Sequence, residues 1–134
     1  MTATRAGESV SDPTRSYNMK PGDEVPVLGT DFTMTIAKVE DSRCPEGVNC
    51  IWAGSVGVEL LFCGPKAERS ARLNTNAPPR AVKYRGRYFR ITQVGPRKID
   101  GQEIKSSDYR ITIEVSKNPP ADAGEGDVVE LKDE

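Results

Sequence analysis

Phe32-Thr33-Met34-Thr35-Ile36 and Val56-Gly57-Val58-Glu59-Leu60-Leu61-Phe62 are the two stretches whose alternation decides the fold. Apolar side chains fall on every second position, opposite Thr33 and Thr35 in the first and opposite Gly57 and Glu59 in the second. A period of two sends one row into a core and the other toward solvent, which is how a half-buried strand reads. The same period recurs from Tyr109 to Val115. Glu24 to Leu28 makes a shorter strand after the turn signal Pro21-Gly22-Asp23, and Gly29-Thr30-Asp31 turns the chain into the Phe32 strand. Gly64-Pro65 stops the Val56 strand. Ala71 to Leu73 is a short strand, Asn74 to Pro79 a loop, and Tyr84 to Val94 an extended run that breaks at Gly95-Pro96. No segment holds a helical period over three turns. Six or seven short strands separated by turn signals predict an all-β domain, a single β-sandwich or small barrel of immunoglobulin-like size.

A chain of 134 residues is long enough for one core and too short for two. Apolar residues make up 36% and charged residues 29%, which suits a compact core with flexible ends. Residues 1–21 carry Ser, Thr, Gly and charge without periodicity and are expected as a flexible N-terminal arm. The β domain is expected over 22–118, with an acidic C-terminal tail over 119–134. From Ala121 onward that tail holds six acids against one lysine, and Val128-Val129 is its one strand-like pair; disorder is the expectation. No apolar run is long enough to cross a bilayer. Met1 is followed by no hydrophobic leader, so the chain is cytoplasmic or its leader was removed before this numbering begins. The expectation is removal and an extracytoplasmic place, in the periplasm or at the cell surface.

Compartment and architecture both hang on Asp41-Ser42-Arg43-Cys44-Pro45-Glu46-Gly47-Val48-Asn49-Cys50-Ile51-Trp52-Ala53-Gly54. Two cysteines bracket a Pro-Glu-Gly turn, and the only tryptophan follows. A metal site wants about four ligands. This chain has no histidine and only one further thiol, Cys63. A Cys44–Cys50 disulfide is therefore expected, worth about 2.4 kcal/mol as a closed short loop. A thiolate metal site using all three cysteines is the weaker alternative. A bridge requires an oxidising compartment. Cys63, at the end of an apolar strand, is expected as a free, buried small hydrophobe. Trp52 is expected to pack over the bridge and close one end of the core. Asp41 and Ser42 suit hydrogen bonds to the loop's free amides. Arg43 either pairs with Asp41 or Glu46 or points outward as an anion contact.

This segment resembles the Asp-Ser-Arg-Cys-Pro…Cys-x-Trp-Ala-Gly signature of a group of small bacterial exported domains, often carried on lipoproteins. The strand Phe32 to Glu40 leads in and Ser55 to Phe62 leads out. Lys105-Ser106-Ser107-Asp108-Tyr109, followed by Ile111, Ile113 and Val115, resembles that group's closing strand. The resemblance covers about residues 22 to 117 and implies a small all-β domain outside the cytoplasm. It brings no activity with it. The chain departs from the pattern in lacking a signal peptide or lipidation cysteine and in having a third cysteine.

The absence of histidine removes Ser-His-Asp and Cys-His catalysis. Lys105-Ser106 is a Ser-Lys neighbour whose side chains face opposite ways on an extended chain. There is no glycine-rich phosphate loop and no dinucleotide fingerprint. The chain is expected to be no enzyme and to need no cofactor. From Arg80 to Lys98, by contrast, seven basic residues stand with no acid, and Tyr84, Tyr88 and Phe89 are interleaved with them. The partner surface expected from this strip comprises Arg80, Lys83, Tyr84, Arg85, Arg87, Tyr88 and Arg90, with Arg43 beside it. A protein or an anionic polymer is the expected partner, and a nucleic acid is the alternative. The competing arrangement is a solvated face with the acidic tail folded back over it.

Overall fold

The computed structural model describes residues 14–51, 54–118 and 127–131. Nine strands lie among them: β1 (Arg15–Met19), β2 (Glu24–Pro26), β3 (Thr33–Asp41), β4 (Val56–Cys63), β5 (Glu68–Asn74), β6 (Ala81–Tyr84), β7 (Arg87–Gly95), β8 (Arg110–Ser116) and β9 (Val128–Glu130). A 3-10 turn, Ser106–Asp108, precedes β8. One sheet has the order β9-β6-β7-β8-β1 and the other β2-β3-β4-β5. All neighbours are antiparallel except β9, which runs parallel to β6. The molecule is an all-β, two-sheet sandwich.

The alternation seen in the sequence fixes which faces meet. Met34, Ile36, Val56, Val58, Leu60, Phe62 and Leu73 of one sheet bury against Met19, Val82, Tyr84, Phe89, Ile111, Ile113 and Val115 of the other. Phe62 sits at the centre of an aromatic cluster, its ring centroid 4.8 Å from Tyr84, 4.8 Å from Phe89 and 5.8 Å from Phe32. Such contacts add to area burial because the ring quadrupoles are offset or edge-on. Irregularities between Ile36 and Lys38 in β3 and between Ile91 and Gln93 in β7 break the register locally. Extra residues of this kind bend and twist the strand.

Four expectations change. The N-terminal arm does not extend to residue 21: Arg15–Met19 form an edge strand along Ile111–Val115 of β8, with Met19 on its inward row fully buried and Tyr17 partly so. The expected disorder does not hold at Val128–Glu130, which pair with Ala81–Lys83 in β6. The single run Tyr84 to Val94 is a hairpin instead, with Ala81–Tyr84 a strand of its own and Arg85-Gly86 the two-residue turn. Both turn residues take positive φ, 53° and 78°, the geometry that matches strand twist in two-residue hairpins. Cys63 is free but only half-buried. In β4 it shares the outward row with Glu59 and Leu61, out of phase with Val56, Val58, Leu60 and Phe62.

Candidate functional site

The loop between β3 and β4 is organised by one carboxylate. Asp41 ends β3, and its side chain is 7% exposed. Arg43 donates to it through Nε at 3.0 Å and Nη2 at 2.8 Å, and the Arg43 amide donates to the same Oδ1 at 3.0 Å. Tyr109, arriving from the other sheet, donates its hydroxyl to Oδ2 at 2.9 Å. Lys98 Nζ donates to the Asp41 carbonyl at 3.3 Å. Burial alone would raise the Asp41 pKa, but the Arg43 and Tyr109 hydrogen bonds and the Arg43 charge outweigh it and hold it down to about 2. Burial and the carboxylate together push Tyr109 up to about 12. The Asp41 hydrogen bonds, followed by its charge, outweigh desolvation and raise Arg43. Of the two roles expected for Arg43, pairing with Asp41 is the one it takes.

Cys44 and Cys50 form the disulfide, with Cα atoms 5.9 Å apart. The stapled loop is tied sideways to the β7–β8 connection. Glu46 N–H donates to the Lys98 carbonyl at 2.8 Å and Asp100 N–H to the Glu46 carbonyl at 3.0 Å. Gly54, at φ +78°, lies so close beneath the chain that a Cβ would fall 2.7 Å from Arg43 Cα and 2.7 Å from the Ser42 carbonyl. This explains the final glycine of the motif: the loop folds onto it. Ile51 is 98% exposed and Val48 is 40% exposed. Trp52, expected to cover the bridge, lies outside the described residues. With Cys44 and Cys50 bonded to each other, the three-thiolate metal site is withdrawn, because neither sulfur remains a thiolate. Cys63 stands at the far end of β4, with its Sγ 3.5 Å from Glu68 Oε2.

The basic strip does not form one surface. Tyr84 and Phe89 belong to the core, so Tyr84 is withdrawn as a contact residue; it is 1% exposed because the hairpin turn puts it in phase with Val82. Most of the cations meet local carboxylates. Arg80 pairs with Asp127 at 2.8 Å, Arg85 with Asp31 at 2.8 Å, Arg90 with Glu114 at 3.0 Å and Arg97 with Glu46 at 3.4 Å. Lys83 lies 5.5 Å over the Tyr88 ring. Asp127, 7% exposed, comes from the acidic tail, and the Arg80 amide donates to its carbonyl at 2.8 Å. Residues 127–131 lie along the edge of β6 and meet the strip at Arg80.

At the end of the sandwich away from the disulfide, Arg87 joins Arg15 and Lys117 around a depression of about 190 Å³, whose other walls among the described residues are Tyr17, Leu28, Gly29, Val115 and Ser116. Nothing in the sequence joined these cations, because only the register of β1, β8 and β7 brings them to one end. Among the described residues no cluster of His, Cys, Asp and Glu is arranged to hold a metal ion, and no helix is long and apolar enough to cross a membrane. No protein-family model matches the chain, and no curated protein or solved structure is significantly similar to it.

Proposed function

We propose that this domain works by binding, without catalysis, outside the cytoplasm, and that its partner is a protein or an anionic polymer. The observation that carries the reading is the convergence of Arg15, Arg87 and Lys117 at one mouth of the sandwich. An overall charge of −1 gives no general attraction to polyanions, so any such affinity must come from a local patch. Location outside the cytoplasm is supported by the Cys44–Cys50 bridge, which persists in oxidising compartments, and by the likeness of residues 41–54 to exported domains. An anionic polymer is favoured over nucleic acid because Tyr84 and Phe89 are core residues, leaving Tyr88 as the strip's one aromatic on the outer face. Stacking several bases needs several open rings.

Retention on immobilised heparin, a duplex and an uncharged polymer, across a series of salt concentrations, tests this. The expected result is heparin retention that weakens steeply with salt, as when about three cations release counterions together. Arg87→Gln should elute at clearly lower salt. Equal behaviour of wild type on heparin and on the uncharged polymer would remove anionic polymers as the partner class.

A further inference from the structure

The edges of the two sheets are not alike. In the five-stranded sheet β9 has three residues, and β1 has five, with the β2–β3 turn tied against it where the Leu28 amide donates to the Tyr17 hydroxyl at 3.1 Å. In the four-stranded sheet β2 has three residues and ends in Pro26. Short strands and prolines are the usual means of blocking edge-to-edge pairing. β5 has neither. Its sequence Glu68-Arg69-Ser70-Ala71-Arg72-Leu73-Asn74 makes it the longest edge strand among the described residues, and it holds no proline.

Hydrogen bonds at both ends of the β4–β5 ladder tell which main-chain groups of β5 are open. Thr75 N–H donates to the Val56 carbonyl at 3.0 Å, and Gly64 N–H to the Ala67 carbonyl at 3.0 Å. In an antiparallel pair the groups alternate sides with period two. Arg69, Ala71 and Leu73 therefore turn their N–H and C=O toward β4, while Glu68, Ser70, Arg72 and Asn74 turn theirs away. The Asn74 N–H is already used, donating to the Pro79 carbonyl at 2.9 Å. The main-chain groups of Glu68, Ser70 and Arg72 meet no partner among the described residues. All three side chains are exposed, on the outer face of the sheet with Cys63, Leu61 and Glu59 of β4. Arg72 lies over Gly57, where a Cβ would collide with its guanidinium, and is held there by Glu40 and Asn74.

We propose that two copies of this chain pair β5 against β5, antiparallel, about a two-fold axis at Ser70, joining their four-stranded sheets into one continuous sheet. The register follows from the open groups, because outward residues must face outward residues. Centred on Ser70, Glu68 stands opposite Arg72 of the second copy, Ser70 opposite its equivalent, and Arg72 opposite Glu68. All three open residues are then used, for about six main-chain hydrogen bonds. Unlike charges stand directly across the strands, which favours the pairing. Arg72 keeps Glu40 and Asn74 in this arrangement, since a guanidinium has five donors. On the other face Arg69 lies across from Ala71, a large side chain against a small one. A register centred on Arg72 or on Glu68 sets like charges opposite each other. One centred on Arg69 or Ala71 leaves an open residue unmatched, because Asn74 is held by Pro79. The contact is isologous, so it closes at two chains and consumes both edges.

Sedimentation of the whole chain from about 10 μM to about 1 mM, a range that reveals even a millimolar Kd, tests the proposal. The mass should rise with concentration from that of the monomer toward its double. Ser70→Pro removes an outward N–H that no internal bond uses, so the fold is kept. Dimerisation should weaken at least about tenfold, the equivalent of about 1.4 kcal/mol. Glu68→Lys sets a cation opposite Arg72 and should weaken it likewise; the side chain it replaces meets only the Cys63 thiol. Cysteines report the register. With Cys63→Ser as background and oxidised glutathione added, Ser70→Cys should cross-link two chains, since directly paired Cα atoms lie about 5.5 Å apart. Lys66→Cys, carried far from its equivalent by the same register, should not. A monomer over the whole range, a dimer unchanged in both Ser70→Pro and Glu68→Lys, or equal cross-linking at 66 and 70 would overturn the proposal.

Discussion

Asp41 is where one side chain does most for the loop. It accepts from the Arg43 side chain, the Arg43 amide and the Tyr109 hydroxyl, so it joins the β3–β4 loop to the start of β8. Removing a buried charged acceptor leaves donors unsatisfied, and Asp41→Asn should cost about 2–3 kcal/mol. Two pH limbs follow from the same pair. In the folded chain Asp41 titrates near 2 against an ordinary 3.8. The unfolded chain then binds more protons between those values, and stability rises with pH there. The Asp41 contribution is complete above about 3.8 and is lost as the pH falls through about 2. Tyr109 has the opposite sign. Its folded value is raised from 10 to about 12, so the folded chain holds the proton longer. Its contribution is complete below about pH 10 and is lost as the pH rises through about 12. Urea unfolding midpoints across both limbs test this: Tyr109→Phe should flatten the alkaline limb and shrink the acid limb without removing it, because the Arg43 hydrogen bonds to Asp41 remain. An unchanged alkaline limb would mean that the hydroxyl does not contact Asp41 in solution.

At the scale of elements, β1 gives the sharpest contrast between what residues announce and what they form. Its inward row, Arg15-Tyr17-Met19, mixes a cation, an amphipathic ring and a thioether, so it lacks the apolar alternation that makes β3, β4 and β8 readable. Only pairing with β8 over five residues turns it into a strand. Met19 is completely buried, so Met19→Ala should lower stability by about 2–3 kcal/mol. A flexible arm would change it by less than about 0.5 kcal/mol, and chemical denaturation separates the two. Other elements were hidden for their own reasons. Arg85 takes φ 53° in a turn where Asn or Gly would have signalled a hairpin; its ion pair with Asp31 and its approach to the Tyr84 ring offset that conformational cost. β9 has three residues, and the Arg80–Asp127 pair, which no local pattern encodes, holds the chain beside it. The motif around Cys44 and Cys50 was legible as a stapled loop because its chemistry is local. The cationic mouth was not, because its residues come from three strands far apart in sequence and meet only through register.

On the scale of the whole molecule, the stapled loop and the cationic mouth occupy opposite ends of one rigid core. Met34, Ile36, Leu60, Phe62, Phe89 and Ile113 fill the space between them, all fully buried, and interiors of this kind are close-packed rather than fluid. Sites separated by such a core and sharing no partner contribute nearly additively. The bridge itself closes a short loop, with a sequence separation of 6, and in the chain-entropy account it stabilises by about 2.4 kcal/mol at most. The loop also keeps the Asp41 hydrogen bonds, the Glu46 contacts with the β7–β8 connection and the seat on Gly54, none of which needs the sulfurs. A Cys44→Ala/Cys50→Ala double variant should therefore stay folded, with stability lowered by no more than about 2.4 kcal/mol. Its elution salt on heparin should match wild type, since coupling between distant sites rarely exceeds about 0.5 kcal/mol. Denaturant melts and heparin elution measure the two quantities. A folded double variant that elutes from heparin at clearly lower salt would show that the two ends are coupled through the sheets.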